Sequence, residues 1–246
     1  MADKIIAITG ANGGLGRALA QRFAADGDTV ILLGRTLSKV QEVADEIGGR
    51  AMAVECDVSS PDSVRAAFAA IAVVHPKIDA LINNAAVFGP YLIAEASDAQ
   101  IINSVMSNLA GPMFTSRSAI PMLNRGGHII NLSSESVEVP LPHLIAYQAT
   151  KAGLERFSTG LHAELRDRGI RVTTVRAGQM VGPGATAQVD AESGMRFFEA
   201  AVKLGLNPME RPMTQFSSVT HAFRALIDAP SDLHIGTVVL EAFHDG

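Results

Sequence analysis

Tyr147 and Lys151 stand four residues apart, and of all the side chains in this sequence their types and spacing suit chemistry best. In a helix the two share a face, one turn apart. An ammonium beside a phenol stabilises the phenolate, so the tyrosine becomes a better proton donor or acceptor near neutral pH. Ser134 comes just past an apolar run and shortly before this pair, with a proline-bearing loop between. A hydroxyl there could hold a carbonyl oxygen that the tyrosine protonates. Such chemistry needs a redox partner, and the N-terminal stretch supplies a place for one.

Lys4–Thr9 is a short β-rich run followed by G-A-N-G-G-L-G over Gly10–Gly16, after which Leu15, Leu19 and Phe23 recur at helical spacing. Strand, glycine turn and helix together are the context in which a glycine-rich motif is informative. Glycines let backbone N–H groups and a helix N-terminus meet a pyrophosphate without side-chain interference. Gly10, Asn12, Gly13, Leu15 and Gly16 are the candidate contacts; the bland alternative is a tight turn. Thr29–Leu33 reads as the second strand, followed by Gly34-Arg35. An acid near this point would bind the ribose 2′-hydroxyl of NAD, whereas an arginine accommodates the 2′-phosphate of NADP. The acid is absent and Arg35 can fork onto phosphate, so the cofactor is read as NADP(H) rather than NAD(H). The alternative is a solvated surface arginine.

The pattern repeats along the chain. Leu37–Ile47 reads as helix and Ala51–Cys56 as strand, with Asp57-Val58 at its exit. Asp57 could accept from an adenine amino group; equally, Asp57 through Ser60 could serve helix capping before Pro61 and a helix over Ser63–Val74. Ile78–Ile82 is a fourth strand closing on Asn83-Asn84-Ala85-Ala86, asparagines that could satisfy loop backbone or contact ribose. A long helix is expected from about Asp98, past Asn108, toward Leu123. Asparagine is poor in mid-helix, which hints at a task for Asn108 against the alternative of a solvent-facing side chain. Gly127–Ser133 and Ile170–Val175 are strands, and a helix runs from about Leu144 to Arg168. On it Leu154, Phe157, Leu161 and Leu165 continue the face of Tyr147 and Lys151, so the pair belongs to the sheet-facing side at the strands' carboxyl ends, where open parallel sheets bind ligands. Ala177–Pro212 is punctuated by glycine and proline, with a helical middle at Ala191–Leu204. A substrate lid is expected at about 183–212, and Phe197-Phe198 either shape a pocket or hold the lid down. A helix at Phe216–Ile227 and a strand at Gly236–Leu240 close the chain.

A chain of 246 residues with 48% hydrophobic content suits one α/β domain with a covered sheet. Its formal net charge of −5 gives no sign of a nucleic-acid binder, and no apolar run is long enough to cross a membrane. Entry into a strand from the first residues, without a signal-peptide layout, and a lone cysteine, Cys56, place the expected protein in the reducing cytoplasm. No clustered His, Asp and Glu set suggests a catalytic metal.

With these residues in hand, the chain resembles the short-chain dehydrogenase/reductase family over essentially its full length. The family's T-G-x-x-x-G-x-G is matched by Thr9, Gly10, Gly14 and Gly16, its asparagine-rich strand end by Asn83-Asn84-Ala85, and its tetrad by Asn108, Ser134, Tyr147 and Lys151. The resemblance implies a Rossmann-like, doubly wound parallel sheet of seven strands with helices on both faces. It implies that Tyr147 is the general acid of carbonyl reduction and that Lys151 lowers its pKa and binds the nicotinamide ribose. It implies that Ser134 polarises the substrate oxygen and that Asn108 holds a water linking Lys151 to solvent. Gly34-Arg35 looks like the NADP-preferring type. Where the family has Pro-Gly and then a threonine on the carboxamide, this chain has Ala177-Gly178 and Gly182. That leaves Gly178, the backbone of Met180 and Val181, or Thr186 to orient the nicotinamide. The expected reaction interconverts a small carbonyl compound and an alcohol, with a non-catalytic dinucleotide sensor as the alternative. Arg125 and Arg168 resemble the docking positions of acyl-carrier-protein reductases, which makes that substrate a minority reading. A homo-oligomer, tetramer or dimer, is also implied.

Overall fold

The computed structural model describes residues 3–184 and 189–243. Apolar runs too short and too β-branched for helices form a parallel sheet: β1 (Ile5–Thr9), β2 (Thr29–Gly34), β3 (Ala51–Glu55), β4 (Ile78–Asn83), β5 (Leu123–Ser134), β6 (Arg171–Ala177) and, at the end of the chain, Thr237–Leu240. Between them run α1 (Gly14–Ala25), α2 (Leu37–Ile47), α3 (Pro61–Val74), the paired α4 (Asp98–Val105) and α5 (Gly111–Ala119), α6 (Ile145–Leu165), α7 (Ala191–Lys203) and α8 (Phe216–Asp228). A two-stranded ladder, β7 (Met180–Val181) with β8 (Thr214–Gln215), clips the two ends of the segment after β6 together; the last strand is then β9. The strand order is β3-β2-β1-β4-β5-β6-β9, all neighbours parallel. This is the doubly wound seven-stranded sheet. Two apolar layers cover it, one under α1, α2 and α8 and one under α3, α5 and α6.

The order reverses between β1 and β4, the switch point at which open parallel sheets leave a crevice beyond the strands' carboxyl ends. Local chemistry sets the helix starts there: Ser60 accepts from the Ser63 N–H ahead of Pro61, and Ser97 with Gln100 forms a capping box.

The long helix expected through Asn108 is broken. Met106–Ala110 is a π turn, in which the Gly111 N–H reaches back five residues to the Met106 carbonyl. Pro112 supplies the reason. It has no N–H to give the Asn108 carbonyl four residues earlier, and its ring crowds that carbonyl. β5 also begins earlier than expected, at Leu123. The pairing with β4 jumps from Ile78↔Leu123 to Ala80↔His128, so an irregularity around Gly126, at φ +88°, absorbs the extra residues that concealed the strand's start.

Candidate active site

The glycine turn sits at the carboxyl end of β1. Gly10 has φ +67° and a Cβ on it would meet the Ala85 Cα at 2.9 Å. A Cβ on Gly16 would meet the Gly10 carbonyl oxygen at 2.4 Å, so the turn closes only with hydrogen there. Gly13 caps α1, whose first turn carries no acidic side chain, an arrangement suited to an anion. Leu15 and Gly16 are buried and Asn12 is exposed. Asn84 stitches the turn to β4: its Nδ2 donates to the carbonyls of Thr9 at 2.9 Å and Gly10 at 3.3 Å. The Thr9 hydroxyl accepts the N–H groups of Asn84 and Ala85, both at 3.0 Å. Asn83 is buried and takes no part in the crevice, since it bonds Asn131 at 2.8 Å and Thr115 at 2.6 Å. The two asparagines thus satisfy protein groups.

Arg35 is exposed just past β2, beside Gly34, where a Cβ would strike Val40 at 2.7 Å and come 3.3 Å from the Asn12 side-chain oxygen. Asp57 accepts from the Ser59 N–H at 2.9 Å and its hydroxyl at 2.7 Å, and the Asp57 N–H donates to the Ser63 hydroxyl. One of its oxygens is thus engaged in a turn on Ser59, and the cap of α3 is Ser60. Val58 is buried against Gly111. Glycine turn, switch point and exposed arginine together fit a dinucleotide lying across the crevice. Gly178 donates its N–H to the Leu240 carbonyl at 2.8 Å, and Met180 pairs with Thr214. Gly184 and the Phe216 ring close on the turn, each 3.8 Å from where a Cβ on Gly14 would be. Thr186 lies outside the described residues.

Tyr147 and Lys151 lie in the first turns of α6 on its sheet-facing side, as their spacing predicts. The Tyr147 side chain and Ser134 face one cavity, and the Phe88 ring packs edge-on against the Tyr147 ring with centres 5.3 Å apart. Lys151 is buried, donates to the Leu132 carbonyl at 2.7 Å, and stands 5.6 Å from the Tyr147 ring centre. The expected lowering of the phenol by the lysine is not what these surroundings produce. Burial pushes the Tyr147 phenol up to about 12, opposed only by the nearby Ser134 hydroxyl, and burial brings Lys151 down to about 8. Desolvation outweighs attraction because the ammonium is directed at a carbonyl. Asn108 is buried in the π turn. Its side chain clamps the Val87 backbone, accepting the N–H at 2.8 Å and donating to the carbonyl at 2.9 Å. The amide is thus committed to the loop after β4, and only the main-chain carbonyl released by Pro112 is left for a water.

One group of residues escaped the sequence reading. Arg176 of β6 forks onto Glu155 of α6, through Nε at 3.0 Å and Nη2 at 2.7 Å. Glu155 also accepts from the Ser133 hydroxyl at 2.7 Å, and Arg176 Nη1 reaches Glu138 at 2.9 Å. One guanidinium so joins β6, the helix of the tyrosine and lysine, and the loop after Ser134. The signal available was an arginine inside an apolar strand. A cavity of about 170 Å³ lies in front of Ser134 and Tyr147, walled by Phe88, Leu141, Leu144 and Phe197 and reached by Gln179. Phe197 therefore shapes a pocket, while Phe198 is not on its lining. His128 of β5 bonds the Thr173 hydroxyl at 2.7 Å. Arg125 and Arg168 donate to the carbonyls of Asp167 and Ile120.

The sequence pattern of the short chain dehydrogenase family matches residues 4–193, and the chain belongs to that family. It is 30% identical over 239 residues to an uncharacterized short-chain type dehydrogenase/reductase of Sinorhizobium fredii, covering 96% of this chain but 42% of that protein. It is 29% identical over 237 residues to the NADP-dependent 3-hydroxy acid dehydrogenase of Salmonella typhimurium, covering 95% of this chain and 93% of the relative. Among solved structures, the closed form of serine dehydrogenase complexed with NADP+ superposes with a TM-score of 0.83 at 26% identity, covering 98% and 97% of the two chains. The protein is an oxidoreductase of this family, built to bind a nicotinamide dinucleotide.

Proposed function

We propose that this protein is an NADP(H)-dependent oxidoreductase that interconverts a ketone or aldehyde and an alcohol. The observation that carries the reading is the meeting of Ser134 and Tyr147 on the wall of one cavity, with the buried Lys151 one helical turn behind. Arg35 past β2 and the NADP in the names of two relatives support the phosphorylated cofactor. Bound in the crevice, the nicotinamide would supply or accept the hydride.

The chain's own groups do the rest. Ser134 and Tyr147 hold the substrate oxygen between two hydroxyls. Tyr147, neutral up to high pH, delivers its proton to that oxygen in reduction; in oxidation it receives the alcohol proton as it hands its own on toward solvent. Lys151, whose lowered value leaves it close to half-charged near pH 8, favours the phenolate at the moment it forms. The Asn108 carbonyl offers a seat for a water that returns the proton to solvent, and its side chain holds the Val87 loop against the site. The buried, sluggish Cys56 thiol agrees with a reducing compartment such as the cytoplasm. Exposed Ile102, Val105 and Met113 on α4 and α5, with the outer edge of β9, would serve a homo-oligomer. Tyr147→Phe tests the mechanism: it should keep NADPH binding, measured by fluorescence, and lose turnover. Turnover at the wild-type rate would refute it.

A further inference from the structure

A second chamber, of about 420 Å³, adjoins the catalytic cavity, and Glu135, Gly178 and Gln179 stand on the linings of both. Glu135 directly follows Ser134 in the chain and is paired with Arg211, whose Nη2 donates to its Oε2 at 2.5 Å. The pair is largely withdrawn from water, with side-chain exposures of 14% for Glu135 and 27% for Arg211. A pair so placed carries a desolvation cost that its own attraction offsets poorly, so it is weak evidence for stability and a better candidate for recognition. The Arg211 Nη1 is buried and has no hydrogen-bond partner among the described residues, a rare state for a guanidinium.

We propose that Glu135 and Arg211 read the two charges of a zwitterionic substrate, a 3-hydroxy-2-amino acid with an apolar group on its carbinol carbon. This rests on the oxidoreductase reading above and names the substrate class of the same site. The order of groups on the protein matches their order on such a molecule. The carbinol oxygen lies at Ser134 and Tyr147, the ammonium on the next carbon meets Glu135, and the carboxylate beyond it forks onto Arg211. The apolar substituent fills the space between Phe88, Leu141, Leu144 and Phe197. The surrounding charge argues against a singly charged ligand. Glu210 and Glu241 also line the chamber, so a lone carboxylate enters a field of excess negative charge. A lone ammonium leaves Arg211 unserved. A zwitterion is neutral overall and exchanges one ion pair for two. In the oxidation the carbinol carbon loses a hydride to NADP+, its hydroxyl proton passes to Tyr147 as Tyr147 releases its own proton toward solvent, and the C–O bond becomes the carbonyl.

Four phenyl carbinols test this with NADP+: 3-phenylserine, 3-hydroxy-3-phenylpropanoate without the amine, 2-amino-1-phenylethanol without the carboxylate, and 1-phenylethanol with neither. Expected is a kcat/KM for 3-phenylserine about tenfold above each singly charged compound and about a hundredfold above 1-phenylethanol, each tenfold corresponding to roughly 1.4 kcal/mol. Arg211→Met should erase the advantage of 3-phenylserine over the amino alcohol. Glu135→Gln should erase its advantage over the hydroxy acid. Arg211→Lys, which keeps the charge, should retain the ordering, and calorimetric binding of 3-phenylserine to the NADP+ complex should follow the same ranks. A singly charged or neutral carbinol used as well as 3-phenylserine overturns the proposal, as does a variant that lowers all four compounds by one factor. If none of the four reacts while another ketone is reduced in a Tyr147-dependent way, the substrate proposal alone fails. If no carbonyl compound is turned over, the oxidoreductase reading fails with it.

Discussion

Lys151 Nζ donates to the Leu132 carbonyl at 2.7 Å while lying 5.6 Å from the centre of the Tyr147 ring. The carbonyl fixes the ammonium at the end of β5, so the lysine is held for the site by the sheet and not by its helix neighbour. Both groups are removed from water, and in each the neutral form gains. The pair is therefore poised with the proton on tyrosine and the charge on lysine weakly held.

That poise has a sign in the pH dependence of stability. Lys151 is depressed from 10.5 to about 8 in the folded state, so between those values the unfolded chain binds more protons and stability rises with pH. Tyr147 is raised from 10.0 to about 12, so the folded state binds more protons there and stability falls over that window. Denaturant unfolding should show a rise from about pH 8 to 10 that Lys151→Met removes. An unchanged slope in that variant would show that another group titrates.

Cofactor choice is tested at Arg35. Its guanidinium stands exposed past β2 beside Gly34, with Asn12 across from it. Arg35→Asp should weaken NADPH binding by at least about tenfold while NADH binding changes less, the loss of one charge-assisted contact to the 2′-phosphate. Equal losses for the two cofactors, measured by fluorescence titration, would remove Arg35 from the phosphate.

Much of this architecture was legible because its signals are local. Periodicity marked the seven strands, and the glycine turn at Gly10–Gly16, Tyr147, Lys151 and Ser134 all fell at the strands' carboxyl ends as read. What escaped depends on partners distant in sequence. Nothing in the neighbourhood of Asn108 announces that its amide will hold Val87, and the π turn follows from Pro112, a residue whose missing N–H could have been read. The fork of Arg176 on Glu155 and the meeting of Glu135 with Arg211 need the tertiary fold, since the second pair joins residues 76 positions apart. The direction of the Tyr147 shift also lay beyond sequence, because burial decides it.

Pro112→Ala restores an N–H that can bond the Asn108 carbonyl. If that carbonyl seats a water on the proton route, the variant should be at least as stable as wild type yet turn over about tenfold more slowly, the low end of what a positioned proton path contributes. Thermal unfolding and steady-state rates read the two effects separately. Wild-type turnover together with a raised melting temperature would assign the π turn to packing alone.

Arg176 and Glu155 offer the strongest test of how the site is held. Burial alone raises the Glu155 carboxyl, and the Arg176 and Ser133 hydrogen bonds overcome it, so that it lies below its ordinary value. Because the two side chains are each 18% exposed, screening reduces their interaction, and breaking the pair should cost about 1–2 kcal/mol, short of a fully buried one. Arg176→Met leaves the Glu155 charge without its partner and should destabilise more than the double variant Arg176→Met with Glu155→Gln, which removes the charge as well. The same fork spans β6, α6 and the Ser134 loop, so Arg176→Met should lower kcat about tenfold with little change in the NADPH dissociation constant, the signature of a misplaced tetrad. Arg176→Lys should recover part of the stability but little of the rate, because it keeps the cation and loses the fork. Parallel losses of rate and cofactor binding would instead make Arg176 a general support of the sheet.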